Sequence, residues 1–223
     1  MDIKLLFQAL TKFLIGVVIY GLLIFLPAGS FQYWQGWLMM WVLFLPILFA
    51  GISMLLNNPE LLRKRLSAKE EQKEQKWVVV LSTVIFVAAF VVAGLNWRFH
   101  WLLLSEWAVW AATAAYLLGY NLYAVVLREN TYLSRTIEVQ ENQKVIDTGL
   151  YGIVRHPMYT ATIILFLSMP LVLASPISFL IMLLYILLIA KRIRNEEAVL
   201  EQGLKGYSEY KQRVKYKVFP YIW

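Results

Sequence analysis

Three stretches of this sequence decide what it can fold into: Trp37–Leu56, Trp77–Leu95 and Trp107–Leu127 run for 20, 19 and 21 residues without a charge. Helices of that length cross the roughly 30 Å hydrocarbon core of a bilayer. Each opens on tryptophan, a residue favoured at the membrane–water boundary. A fourth stretch, Phe13–Leu26, is also uncharged, and its apolar character reaches back to Ile3 past Lys4 and Lys12. Composition agrees, since 60% of the 223 residues are hydrophobic, 16% are charged and the mean hydropathy is +0.60. A soluble domain carries about 25% charged residues, so the chain reads as an integral, multi-pass membrane protein. An apolar run behind a lysine is also the pattern of a signal peptide. Pro27-Ala28-Gly29-Ser30 is a poor cleavage site, however, and the segment is read as an uncleaved first span.

The fifth apolar stretch, Met158–Ala190, has 33 residues without a charge. As one helix it would reach about 50 Å. Pro170 and Ala174-Ser175-Pro176 interrupt it, and proline removes a helical hydrogen bond and clashes with the preceding turn. Two short helices in a hairpin are therefore expected. Charge counting supports this: with six spans, 20 of the 21 Lys and Arg fall on one side, whereas a single fifth span divides them 12 to 9. The positive-inside rule selects six spans with both termini cytoplasmic. The expected fold is an all-α polytopic bundle, with a four-span region over residues 1–127 and a catalytic region over residues 128–223.

The net charge of +7 then reads as an orientation signal, with no call for nucleic acid as a partner. Arg63-Lys64-Arg65 and the alternating Lys69–Lys76 run read as a solvated or headgroup-facing helix. Zero cysteines exclude disulfides, thiolate nucleophiles and cysteine-ligated zinc. His100 and His156 are the only two histidines, which argues against a metal site.

Nearly every ionisable residue lies on the basic side, so a reaction centre would be built from Arg128–Tyr159 and Lys191–Trp223. Thr148-Gly149-Leu150-Tyr151-Gly152 reads as a turn leading into Val154-Arg155-His156-Pro157-Met158-Tyr159. Proline suits the first helical position, where its missing N–H would be unpaired anyway. Arg155 and His156 thus stand at the mouth of the fifth span, beside free N–H groups that suit an anion, with Tyr159 one turn on. The plainer alternative is that Arg155 anchors the helix to lipid phosphates. Beyond the sixth span, Lys191-Arg192-Ile193-Arg194-Asn195-Glu196-Glu197 places Arg192 and Glu196 on one helix face. Two adjacent carboxylates just past a bilayer suit a ligand with hydroxyls or an ammonium; the plainer alternative is a solvated helix. The tail Tyr207–Trp223 interleaves four tyrosines with lysines, as an interfacial anchor or the cover of a cavity. Asn121 in the fourth span reads as an amide bonded to a neighbouring helix.

From about Leu117 to Trp223, these pieces in this order resemble the isoprenylcysteine carboxyl methyltransferase and phospholipid methyltransferase superfamily of membrane enzymes. The resemblance is carried by Thr148-Gly149-Leu150-Tyr151, Arg155-His156-Pro157-Met158-Tyr159 and the hairpin. It continues through Arg192-Ile193-Arg194-Asn195-Glu196-Glu197, Tyr207-x-x-Tyr210 and Phe219-Pro220-Tyr221-Ile222-Trp223. Pro27-Ala28-Gly29 and Asn58-Pro59-Glu60-Leu61-Leu62 resemble bacterial members more loosely. The resemblance implies S-adenosylmethionine as methyl donor and S-adenosylhomocysteine as product, held between the cytoplasmic ends of the last helices and covered by the tail. It implies Gln140, Gly149, Tyr151, Arg155, His156, Pro157, Tyr159, Glu196 and Glu197 as cofactor-binding residues. It implies Arg155, Arg192 and Glu196 in catalysis, with Arg192 helping to position the acceptor. Two departures stand out. Ala161 replaces the usual glycine after the His-Pro-x-Tyr motif, and no glycine-x-glycine is evident in Leu117–Asn121, which weighs against the phospholipid branch.

Methyl transfer from a sulfonium is an in-line displacement that needs alignment and exclusion of water, without metal or covalent intermediate. The acceptor is expected to be lipidic or a small molecule, a carboxylate of isoprenylcysteine type being favoured. The site would face the cytoplasm, across the inner membrane if the source is bacterial. Two further readings compete: a membrane NADPH-dependent reductase of sterol-reductase type, because those enzymes end in a similar Arg-His-Pro hairpin, and a non-enzymatic membrane protein.

Overall fold

The computed structural model of the chain describes residues 3–67, 73–130, 132 and 139–223. All regular structure among them is helical: α1 Ile3–Ala28, α2 Trp34–Asn57, α3 Pro59–Ser67, α4 Lys73–Phe99, α5 Glu106–Glu129, α6 Pro157–Val172, α7 Pro176–Gly203 and α8 Tyr207–Arg213, with a 3-10 turn at Gly149–Gly152. Five helices, α1, α2, α4, α5 and α7, are long and apolar enough to cross a membrane, and α6 is a shorter apolar helix. The expected polytopic helical fold with its carboxy-terminal hairpin is present. Of the Lys69–Lys76 run, Lys69–Gln72 lies outside the described residues and Lys73–Lys76 begins α4.

The hairpin breaks at residues 173–175. Pro170 stays inside the last turn of α6, and its carbonyl accepts the Ser175 N–H at 2.8 Å. Ala174 takes a left-handed φ of 56° to turn the chain. Ser175 Oγ then accepts the Ser178 N–H at 3.3 Å, and Pro176 follows at the first helical position, a cap that needs only neighbouring residues.

The chain divides into two compact units, each drawing on several helices. The first holds residues 1–69, 86–113 and 169–181. Its packing is apolar and aromatic. Tyr33 stacks on Trp97 and donates its hydroxyl to the Leu173 carbonyl at 2.5 Å. A side chain at Gly94 would meet the Ile24 carbonyl at 2.8 Å and the Ala28 nitrogen at 2.9 Å, so α4 and α1 approach backbone to backbone. Lys12 donates its ammonium to the Leu66 carbonyl at the end of α3, which gives a charge inside the first helix a local use.

The second unit holds residues 70–85, 114–168 and 182–223. Ile163, Ile189, Ile193 and Val218 form one core cluster, joined by Tyr159, Leu167, Tyr185, Phe219 and Trp223. The tail thus packs into the α6–α7 pair. Leu204, Tyr207, Tyr210 and Val214 form another cluster, against which Val139 and Val145 pack. Asn121 is exposed on its helix, in contrast to the interhelical amide expected from the sequence.

Candidate active site

The site grows from the start of α6, the last turns of α7 and the chain after α8. Arg155 and His156 precede Pro157, which opens α6 at its first position. Their N–H groups are not left for a ligand, as the sequence suggested. Arg155 N–H donates to the Tyr216 carbonyl at 2.9 Å and His156 N–H to the Lys217 carbonyl at 2.8 Å. Thr160 Oγ1 donates to the Val218 carbonyl at 2.6 Å. Three successive tail carbonyls are therefore tied to the head of α6.

The Arg155 side chain completes this bond. Its Nη1 donates to the Val214 and Lys215 carbonyls at 2.6 and 2.8 Å, while Nε donates to Glu197 Oε1 at 2.8 Å. Both side chains of the ion pair are buried. His156 Nε2 also meets Glu197 Oε1, at 3.1 Å, and its Nδ1 is 4.0 Å from Glu196 Oε1, so the ring lies between the two carboxylates. Glu197 Oε2 has the ammonium groups of Lys211 and Lys217 each 3.6 Å away. Charges buried this way persist only when paired and hydrogen-bonded.

Glu196 belongs to a second, more open chain of contacts. Tyr159 donates its hydroxyl to Glu196 Oε2 at 2.5 Å, and Arg192 Nε donates to that hydroxyl at 3.1 Å. The Glu196 side chain keeps 26% exposure against 6% for Glu197, so adjacent carboxylates are split into a reachable one and an internal one. Ala161 is fully buried below this layer.

The remaining residues that the resemblance singled out serve the frame in this structure. Gly149 takes a φ of 57°, and a side chain there would collide with the Glu129 carboxylate, which accepts the Leu150 N–H at 2.9 Å. Tyr151 is buried. Its hydroxyl accepts from Asn130 Nδ2 at 3.0 Å, and its carbonyl accepts from the Tyr210 hydroxyl at 2.8 Å. Gln140 pins its own loop: its side-chain amide donates to the Tyr132 carbonyl at 2.7 Å, and its N–H to Gln143 Oε1 at 2.8 Å. Arg155, His156, Tyr159, Arg192, Glu196 and Glu197 are thus brought together, whereas Gly149 and Tyr151 join through the tail tyrosines and Gln140 through neither.

Four participants were missed in the sequence: Glu129, Asn130, Lys211 and Lys217. Glu129 carried a signal, because a carboxylate in the last turn of a helix opposes the helix dipole and calls for a reason. Burial raises the phenol pKa values of Tyr151 and Tyr210, and carboxylates nearby add to the rise, so both hydroxyls keep their protons and donate or accept as neutral groups.

Known proteins resemble the chain in part of its sequence and in its fold. Residues 110–202 match the family model of the isoprenylcysteine carboxyl methyltransferase family. The Delta(14)-sterol reductase of Mus musculus is 30% identical over 91 residues, a match that takes in 40% of this chain and 22% of that protein's length. A solved structure of the eukaryotic intramembrane Ras methyltransferase, isoprenylcysteine carboxyl methyltransferase, has the same fold with a TM-score of 0.57 and 20% identity, covering 92% of this chain and 73% of that one. Residues 110–202 are thus similar to the isoprenylcysteine carboxyl methyltransferase family, and the chain shares that solved fold.

Proposed function

We propose that this protein is an integral membrane methyltransferase that uses S-adenosylmethionine and acts on a lipidic carboxylate of isoprenylcysteine type, with residues 128–223 as its catalytic region and its site facing the cytoplasm. The observation that carries this reading is the division of Glu196 and Glu197 inside the family-matched segment, one carboxylate reachable beside Arg192 and Tyr159, the other locked to Arg155 and His156. A donor with a sulfonium, an ammonium, a carboxylate and ribose hydroxyls needs acidic, basic and hydroxyl partners together, and these residues supply all three. The buried Tyr207 hydroxyl, without a partner among the described residues, supports the fit.

When bound, the cofactor supplies an electrophilic methyl group. Glu196 and Tyr159 would hold its hydroxyls or ammonium. Arg192, on the same helix face as Glu196, would orient an anionic acceptor, which needs no general base. The tail, tied to α6 through Arg155, His156 and Thr160, would exclude water.

The identity to a sterol reductase over 91 residues favours a second reading, a membrane NADPH-dependent reductase. Isothermal titration of the purified protein with S-adenosylhomocysteine and with NADPH separates the two. We expect heat from the first ligand only; no heat from it together with tight NADPH binding would overturn the methyltransferase reading. Radiolabelled donor with total membrane extract would then identify the acceptor through its labelled product.

A further inference from the structure

The anionic end of an S-adenosyl ligand needs a cationic partner, and Arg155 is committed elsewhere: Nε holds Glu197 and Nη1 holds two tail carbonyls. Lys217 is different. Its main chain is fixed on both sides, the carbonyl accepting His156 N–H at 2.8 Å and its own N–H donating to the Trp223 carbonyl at 2.9 Å. Its ammonium stands 3.6 Å from Glu197 Oε2, too far for a hydrogen bond. Lys211 lies at the same 3.6 Å from that oxygen but is also held by Glu201 at 2.6 Å. Arg155, Lys211 and Lys217 therefore surround one buried carboxylate, and among the described residues Lys217 is the one of the three whose ammonium has no anion closer than 3.6 Å.

Tyr207 supplies an independent observation. It is 4% exposed, yet its hydroxyl has no hydrogen-bond partner among the described residues. A buried hydroxyl without a partner is costly, and native interiors rarely keep one without a reason. Burial, together with the Glu197 and Glu196 carboxylates, keeps its proton on. Tyr207 is thus a neutral donor one helical turn before Lys211, on the same face of α8.

We propose that Lys217 and the Tyr207 hydroxyl form a carboxylate-binding corner that receives the amino-acid carboxylate of the S-adenosyl ligand beside Glu197. The surplus cation neutralises that group and the orphan hydroxyl donates to it. This rests on the methyltransferase reading and adds two binding residues to it. The same chemistry would serve a phosphate of NADPH, and the test distinguishes the two.

Isothermal titration compares S-adenosylhomocysteine with decarboxylated S-adenosylhomocysteine, which keeps the nucleoside, thioether and amine, on the wild type and on Lys217→Met, Lys217→Arg and Tyr207→Phe. Wild type should prefer the intact ligand. Lys217→Met and Tyr207→Phe should each weaken it by about tenfold, the effect of one charge-assisted hydrogen bond, and leave the decarboxylated ligand within about twofold. Lys217→Arg should retain most of the preference. Equal losses for both ligands, or no loss for either, would overturn the carboxylate corner while leaving the methyltransferase reading intact. If wild type bound neither S-adenosyl ligand but bound NADPH in a Lys217-dependent way, both readings would fall and the anion would be a phosphate. Tyr207→Phe keeps the ring in its apolar cluster, so a folded variant is available even if Lys217→Met loosens the tail.

Discussion

The turn between α6 and α7 and the other ends of the same two helices satisfy their polar groups in different ways. At residues 173–175 the partners that turn the chain and start α7 are local, with Ala174 turning the chain, Ser175 capping α7 and Pro170 accepting the Ser175 N–H, while the Tyr33 hydroxyl and the Leu104 N–H donate to the Leu173 and Ala174 carbonyls from afar. At Pro157 and Glu197 the partners of the Arg155 and His156 side chains lie between 41 and 60 residues away. The cap of α7 is specified by a few adjacent residues and should tolerate change with little effect on the distant end. The distant end exists only when the tail is in place, so its residues should lose stability and binding together.

The harshest test of that contrast is Glu197→Gln. It leaves buried Arg155 without its charge partner, and breaking such a pair costs about 3–5 kcal/mol. We expect a clearly lower melting temperature in detergent and loss of measurable S-adenosylhomocysteine binding. A variant that melted and bound like wild type would erase the distinction.

Arg155→Lys is milder. It keeps the charge but loses the planar fork that serves Glu197 and two carbonyls at once. Binding should weaken by about ten- to hundredfold, and limited proteolysis should release the tail sooner. Arg155→Ala removes the same carbonyl contacts and should loosen the tail as well as abolish binding.

Gly149→Ala forces a side chain into a left-handed position and against Glu129. A cost of about 1–3 kcal/mol should appear as a lower melting temperature, with only a severalfold change in affinity. Ser175→Ala, at the local end, should cost about 1 kcal/mol and leave the affinity within about twofold. A large affinity loss there would show that the two ends are not independent.

The smallest effect belongs to pH. Tyr207 and Tyr210 have phenol pKa values raised above the ordinary 10.0, chiefly by burial. The unfolded chain therefore ionises first, so stability from these groups is fully present below pH 10 and falls as pH rises further. Melting curves across that range should decline less steeply in Tyr210→Phe.

Much of the architecture was legible because it depends on near neighbours. Ser175-Pro176 signals a helix start at any place in a chain, and the lopsided charge count required a turn between the fifth and sixth apolar segments. Arg155, His156, Glu196 and Glu197 could be singled out, since such residues at helix ends beside a bilayer call for partners. What they bind could not be read. The acceptors of Arg155 Nη1 are main-chain carbonyls of Val214 and Lys215, groups that every residue possesses and no side chain announces. Lys217 looked like one more basic residue of an interfacial tail for the same reason. Asn121 misled in the other direction: an amide in an apolar helix suggested a buried partner, and the helix turns it outward.

The 16 residues of α6 have a consequence for where this chemistry happens. A helix of that length rises about 24 Å, against about 30 Å of hydrocarbon. Anchored at either surface, it stops about 6 Å short of the other. Where that shortfall falls at Pro157, either the leaflet dips to meet it or the polar head of α6 sits at the depth of the upper acyl chains. A lipid tail would then reach the level of Arg155 and Glu197 without leaving its own leaflet, and bilayer thickness would act on this one helix more than on its longer neighbours.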